Sequence, residues 1–253
     1  ETDRMFFFGI ILAFMDKPRF KSVFLSDIHL GTKGCQADIL NEFLKNHDFD
    51  NLFLVGDIID GWRMSSKTYW PQEHVNTIRR FLHFAKKGTK IFLISGNHDD
   101  FLRSYSPVKF GNIEIVDEYE WKGYLISHGD KYDGVVQLKW LGVIGGYGYE
   151  IAIMIDRFLK KIWYKVSLSK FAKDNVKQAV KFISNFENQL AYQALQRGLK
   201  GVICGHIHNP EIKTITIKKK KIEYLNCGDW IENNSYIVYK KNKFRLCFIS
   251  DEL

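Results

Sequence analysis

The chain of 253 residues contains no C-x-x-C pair, and its four cysteines, Cys35, Cys204, Cys227 and Cys247, lie far apart. That spacing excludes a zinc knuckle, supplies no disulfide framework and fits a reducing cytoplasmic compartment. A bilayer span takes roughly 20 apolar residues. The run MFFFGIILAFM, from Met5 to Met15, has only eleven. It also lacks a basic n-region and an A-x-A cleavage site, which argues against a secretory signal. No internal repeat or low-complexity tract is present. Nor is there a basic stripe interleaved with stacking aromatics or a nucleic-acid-binding module, so no nucleic-acid partner is expected.

What is present is a globular composition, 45% hydrophobic and 26% charged, long enough to bury one full core. Lys plus Arg exceed Asp plus Glu by 37 to 29, giving a net charge of +8. Such a balance suits an anionic partner, whether phosphate, nucleic acid or an acidic membrane surface, and does not choose among them. Met15, followed by Asp16, Lys17 and Pro18, reads as a natural start, which would make residues 1–14 an extension. A short membrane-surface anchor is the alternative reading. The domain proper is expected over 21–253, with 1–20 outside it.

Short apolar runs alternate with amphipathic stretches. Val23 to Leu25, Leu52 to Val55, Ile91 to Ile94 and Val202 to Cys204 read as buried strands. Ala37 to Lys45 and His74 to Lys87 carry apolar residues at helical spacing, and the alternation predicts a layered α/β core. Ile113 to Val116, Gly123 to Ser127, Ile212 to Ile217, Ile222 to Leu225 and Tyr236 to Tyr239 predict strands of a second sheet. The KKKK run at Lys218 to Lys221 reads as a solvated hairpin turn. From about 131 to 200 no strand-like block occurs. Tyr149 to Lys165 and Val176 to Arg197 are helix-like, and together they predict a helical cap inserted into the core.

Five blocks carry chemistry: SDIHLG (Ser26 to Gly31), GDIID (Gly56 to Asp60), GNHDD (Gly96 to Asp100), HGD (His128 to Asp130) and GHIH (Gly205 to His208). Each follows a strand-like run or lies near one, and loops beyond the carboxyl ends of strands share one crevice. Asp27 with His29, and His206 with His208, are pairs two residues apart whose side chains can turn to one ion. Carboxylate, amide and imidazole donors without thiolate favour Mn, Fe, Zn or Co. Asp27, His29, Asp57, Asn97, His128, His206 and His208 are more ligands than one ion needs, so two divalent ions are expected, with Asp57 as the bridge. Two such ions, roughly 3.5–4 Å apart, activate water and stabilise the attacking and departing oxygens at phosphorus. His98 is expected to neutralise charge at phosphorus or protonate the leaving group, acting with Asp57 and Asn97 as the catalytic set. Asp60 and Asp130 are expected to orient ligands, and Asp99 or Asp100 to cap a helix. Cys227, in NCGDW before Trp230, receives no role.

In its ordered D-x-H, G-D-x-x-D, G-N-H-D, H and G-H-x-H blocks the sequence resembles the calcineurin-like metallophosphoesterase superfamily, from about Lys21 to the C-terminus. The resemblance implies a four-layer αββα sandwich with the site at one edge and two metal ions, most often Mn. It assigns Asp27, His29, Asp57 and His208 to one ion and Asp57, Asn97, His128 and His206 to the other. SDIHLG, GNHDDFLR through Arg103, ISHGD and the helical insertion before GHIH resemble a narrower branch, the UDP-2,3-diacylglucosamine hydrolases of lipid A synthesis. That branch implies pyrophosphate cleavage of a nucleotide-linked lipid, releasing UMP, by a peripheral protein on the cytoplasmic face of the inner membrane. Arg103, Arg157 and Lys165 are then expected to meet phosphates or anionic headgroups, and the cap's apolar stripes to line an acyl groove. Core packing is the plainer reading of those stripes. One departure stands out: the best-known members of the branch carry Arg where this chain has His98. A soluble phosphodiesterase or phosphatase acting on nucleotides or phosphoproteins is the competing reading, and a non-enzymatic scaffold the remote one.

Overall fold

The computed structural model describes residues 17–66, 68–133 and 169–251, with 66 and 169–179 as backbone alone. Its frame is set by β1 (Arg19–Leu25), β2 (Asp48–Val55), β3 (Lys90–Ile94) and β5 (Ile113–Val116), which run parallel side by side. These runs are continuously apolar because the sheet is covered on both faces. Val23, Leu25, Leu52, Leu54 and Ile91 point one way, onto α1 (Ala37–Asn46) and α3 (Gln72–Lys86). Phe24, Phe53, Val55, Phe92 and Ile94 point the other way, onto a second sheet. Phe53 lies at the centre of that second interface, stacked at 4.6 Å on both Phe24 and Phe92.

β4 (Val108–Phe110), β11 (Ser235–Lys240) and β12 (Lys243–Phe248) complete the first sheet, in the order β12-β11-β1-β2-β3-β5-β4. The second sheet holds β6 (Glu118–Trp121), β7 (Tyr124–Ser127), β8 (Gly201–Cys204), β9 (Glu211–Ile217) and β10 (Lys220–Asn226), in the order β6-β7-β8-β10-β9. α4 (Ser169–Gln196) covers its outer face through Phe186, Leu190, Ala191 and Ala194. The layers are therefore helices, sheet, sheet, helix: the four-layer αββα sandwich. The short α2 (Gly61–Ser66) lies beside the strand ends, following GDIID.

The nine strand-like runs all fall in strands. Two of them, Ile113 to Val116 and Tyr236 to Tyr239, belong to the first sheet rather than the second: the former pairs parallel with β3 and the latter antiparallel with β1. Three strands had no apolar signature, β4, β6 and β12, and all three are sheet edges. Charged side chains at an edge interrupt the run that marks a buried strand. The KKKK run is half turn and half strand, with Lys218 and Lys219 at φ 47° and 65° forming the tip of the β9–β10 hairpin. The C-terminal half of the expected cap is a core layer, because α4 packs its apolar face on β8 and β10. The first expected cap helix, Tyr149 to Lys165, and residues 1–16 lie outside the described residues.

Phe53 is fully buried between the sheets. Phe53→Ala is expected to destabilise the protein by about 3–5 kcal/mol, the range for emptying a phenylalanine site in a packed core. Urea unfolding measures it; a loss below about 1 kcal/mol would mean that the sheet interface is not the core.

Candidate metal centre

Five strands that run toward one edge of the sandwich end in the five blocks: β1 before Asp27 and His29, β2 before Asp57, β3 before Asn97 and His98, β7 before His128, and β8 before His206 and His208. The loops are laced together through their backbones. Asp27 N donates to Gly56 O at 3.1 Å, His29 N to Asp57 O at 2.9 Å, and Gly205 N to His128 O at 3.2 Å. This lacing holds an unusual backbone. Asp27, His29, Asp57, His206 and His208 all sit at positive φ, between 50° and 71°. Non-glycine residues there cost of order 1–3 kcal/mol each and persist only where the surroundings over-determine them. Two glycines make room for the side chains. A Cβ on Gly56, itself at φ 80°, would meet His128 Nδ1 at 2.3 Å, and one on Gly96 would meet Asp57 Oδ1 at 2.2 Å.

The side chains divide their polar atoms between protein and centre. Asp27 Oδ2 accepts from His206 N at 3.0 Å and lies 2.5 Å from Ser26 Oγ, which leaves Oδ1 facing His208 Nε2 at 3.1 Å and His29 Nε2 at 3.8 Å. Asp57 Oδ1 accepts from His98 N at 2.8 Å. Its Oδ2 stands between two groups, 3.2 Å from His128 Nε2 and 4.0 Å from His29 Nε2. His128 donates through Nδ1 to Val55 O at 3.0 Å, fixing the tautomer that leaves Nε2 a bare acceptor. His206 uses Nε2 on Asp133 Oδ2 at 2.9 Å, which leaves Nδ1.

One donor atom each from Asp27, His29 and His208 lies within 4.8 Å of the others, and the same holds for Asp57, His128 and His206. His29, Asp60 and His98 form a third such group, but Asp60 Oδ2 faces the Nδ1 atoms of both rings, at 3.4 and 3.0 Å. It therefore props the rings from behind and leaves their Nε2 atoms to the centre. His29 Nε2, Asn97 Oδ1 and His128 Nε2 are buried and make no hydrogen bond. Buried polar atoms are nearly always partnered, and three bare acceptors among clustered carboxylates and imidazoles make up a donor set suited to cations. The residues present fit divalent metal ions.

The electrostatics point the same way. Burial opposes the Asp27 charge, yet His208 and His128 hold its carboxyl well below the usual range. Burial is likewise overcome at Asp57, which His128 and His98 push down. Burial would lower His29, but Asp27 and Asp60 raise it to about 10, and Asp57 with Asp27 raises His128 well above normal. The carboxylates that raise these imidazoles are the same groups that would bind a metal ion, and binding would release the imidazole protons.

Asp60 Oδ2 lies against the Nδ1 atoms of His29 and His98. Neither Asp99 nor Asp100 caps a helix through its side chain. Asp99 is fully buried and accepts from Ile58 N at 2.8 Å and Gly96 N at 2.5 Å, tying GNHDD to GDIID, while Asp100 pairs with Arg103. Burial and the Asp57 charge push Asp99 up to about 6. Asp130 touches no ligand side chain; both its oxygens accept from Arg103 Nη2, at 2.8 and 2.7 Å. Arg103, expected at the substrate, is ringed by carboxylates, and Arg157 and Lys165 lie outside the described residues. Sequence reasoning missed Asp133, Asn226 and Asp229. Asn226 Nδ2 donates to Gly205 O at 2.9 Å, and Asp229 Oδ1 accepts from Ile231 N and Glu232 N, shaping the loop whose Trp230 N donates to Asp27 O at 3.1 Å. The signal was the NCGDW block, an Asn and an Asp around a turn glycine.

His98 borders a cleft of about 310 Å³, with Trp62 tilted against its ring at 4.4 Å and Phe101 also lining the cleft. Among the described residues no helix is long and apolar enough to cross a membrane.

The model of the calcineurin-like phosphoesterase family matches residues 20–210. UDP-2,3-diacylglucosamine hydrolase of Aliivibrio fischeri (strain MJ11) is 24% identical over 88% of this chain and 96% of its own length. The protein of the same name from Vibrio atlanticus (strain LGP32) is 24% identical over 89% of this chain and 96% of its own. Among solved structures, Vacuolar Protein Sorting 29 from Cryptosporidium Parvum aligns over 90% of this chain and 97% of its own with a TM-score of 0.40 and 11% identity. With five motif blocks gathered at one edge of an αββα sandwich and a family match spanning most of its length, the chain belongs to the calcineurin-like phosphoesterase family, a metal-dependent hydrolase of phosphate esters.

Proposed function

We propose that this protein is a two-metal pyrophosphatase that cleaves UDP-2,3-diacylglucosamine into UMP and diacylglucosamine 1-phosphate. The observation that carries the reaction class is the set of buried, unpartnered atoms His29 Nε2, Asn97 Oδ1 and His128 Nε2 at the meeting of five loops. The substrate rests on the names of relatives aligned over nearly nine-tenths of the chain. Asp27, His29 and His208 would hold one ion, Asn97, His128 and His206 the other, and Asp57 Oδ2 would serve both. When bound, the pair supplies Lewis-acid activation of water and neutralises charge at phosphorus; Mn suits the oxygen and imidazole donors, with Fe, Zn and Co as alternatives.

The protein's own part is positioning and proton transfer. The Asp57 and Asn97 loops meet through the His98 N–Asp57 Oδ1 hydrogen bond, so the donors of both ions keep one spacing. His98 has Asp60 Oδ2 at 3.0 Å from Nδ1 and Trp62 tilted against its ring, a placement that turns Nε2 toward the centre, 3.9 Å from Asp57 Oδ2. From there Nε2–H can protonate the departing phosphate oxygen as the bond to phosphorus breaks. A cytoplasmic site at the inner-membrane face follows from the lipid substrate, with Arg157 and Lys165 assigned to its phosphates or to headgroups. His98 also favours a second reading, a phosphodiesterase or phosphatase acting on soluble nucleotides or phosphoproteins, since it stands where the best-known lipid-acting members carry Arg.

Two outcomes are expected. Asp57→Ala removes the oxygen that faces both groups, so bound metal falls and turnover drops by more than the roughly 10–100-fold that loss of an outer-sphere partner costs, with the circular dichroism spectrum retained. Metal analysis and steady-state rates check this, and normal activity in the variant would refute the two-metal site. Metal-stripped enzyme releases no UMP from UDP-2,3-diacylglucosamine until Mn is restored. Mn-dependent cleavage of a simple phosphodiester without UMP release would keep the chemistry and discard the lipid substrate.

A further inference from the structure

We infer that Arg103 is a positioning residue for one of the two metal positions, that of Asn97, His128 and His206, and not a substrate contact. The inference rests on the two-metal reading above. Four of its five hydrogen bonds go to carboxylates. Nε donates to Asp117 Oδ1 at 2.9 Å, Nη1 to Asp100 Oδ1 at 2.7 Å, and Nη2 to both oxygens of Asp130 and, at 3.3 Å, to Ser95 O. A guanidinium so engaged has its charge matched within the protein and little left for a phosphate.

Where those partners lie is the point. Ser95 and Asp100 bracket the GNHD turn that carries Asn97, at the end of β3 in the first sheet. Asp117 sits in the link from β5 to β6, where the chain passes between sheets. Asp130 stands two residues past His128, at the end of β7 in the second sheet. One planar cation thus fastens the Asn97 loop of one sheet to the His128 loop of the other. The bracing extends further. Asp130 opens the short turn Asp130–Tyr132, Asp133 N donates to Asp130 O at 3.2 Å, and Asp133 Oδ2 holds His206 Nε2 at 2.9 Å. All three donors assigned to this ion alone are therefore within reach of the Arg103 clamp. Arg103 makes no hydrogen bond or ion pair with Asp27, His29 or His208; the Asp27 loop is braced instead by Ser26 and the Trp230 backbone, and His208 O accepts from Asn233 Nδ2 at 3.1 Å. The Asp130 side chain is only 5% exposed, so the clamp also supplies the countercharge a buried carboxylate requires.

The test is calorimetric titration of the metal-stripped protein with Mn, comparing wild type with Arg103→Lys and Asp130→Asn, two mild changes whose folding is checked by thermal melting. Wild type is expected to bind two ions per chain. In both variants one ion should keep its wild-type Kd while the other weakens by about 10–100-fold, the range for loss of an outer-sphere partner. Adding Arg103→Lys to His128→Ala should leave the Kd of the remaining ion unchanged. Equal weakening of both ions would overturn the inference in favour of a general structural role. Unchanged binding of both, with a raised KM, would overturn it in favour of substrate contact and leave the two-metal reading intact. Fewer than two ions on the wild type would sink that reading and the inference together.

Discussion

The centre depends on how Asp57 divides its carboxylate. Oδ1 is held by the backbone of His98, and Oδ2 faces the His29 and His128 rings from one buried position. A carboxylate that deep in the protein is strongly disfavoured unless positive charge answers it. Asp27 and Asp57 lie in neighbouring loops after β1 and β2, and the His128, His208 and His98 imidazoles are the positive groups that answer them. The arrangement of loops, turns and second-layer acids makes sense as a cage for ions that replace those protons.

The fold supplies the rigidity the cage needs. Five donor residues are held at positive φ, a strain of several kcal/mol in all by the usual per-residue cost. It is borne because each loop is the continuation of a strand whose two faces are packed, and because neighbouring loops exchange backbone hydrogen bonds. The second sheet is as necessary as the first: His128, His206 and His208 come from β7 and β8, while Asp27, His29, Asp57 and Asn97 come from β1, β2 and β3. The phenylalanine stack between the sheets therefore helps to set the distance between the two halves of the centre.

Much of this was legible in the sequence because it is local. The D-x-H and H-x-H pairs are two residues apart, and the buried parallel strands before them are continuous apolar runs that end at a glycine or serine. Edge strands such as Glu118–Trp121 were not legible, since their exposed charges break the pattern. Neither were contacts across large sequence separations. Asp133 reaches His206 over 73 residues and Arg103 reaches Asp130 over 27, and nothing in their immediate neighbours distinguishes them from surface charges. Arg103 shows the effect clearly: a lone arginine after GNHDD suggests a phosphate ligand, and only the positions of Asp100, Asp117 and Asp130 show that the protein itself claims the charge.

The measurement that tests the account most directly is anomalous diffraction from crystals of the protein equilibrated with Mn. The account predicts two peaks roughly 3.5–4 Å apart, the spacing of two-metal hydrolytic sites, with Asp57 Oδ2 within bonding distance of both. A single peak, or two peaks that Asp57 does not join, would contradict it.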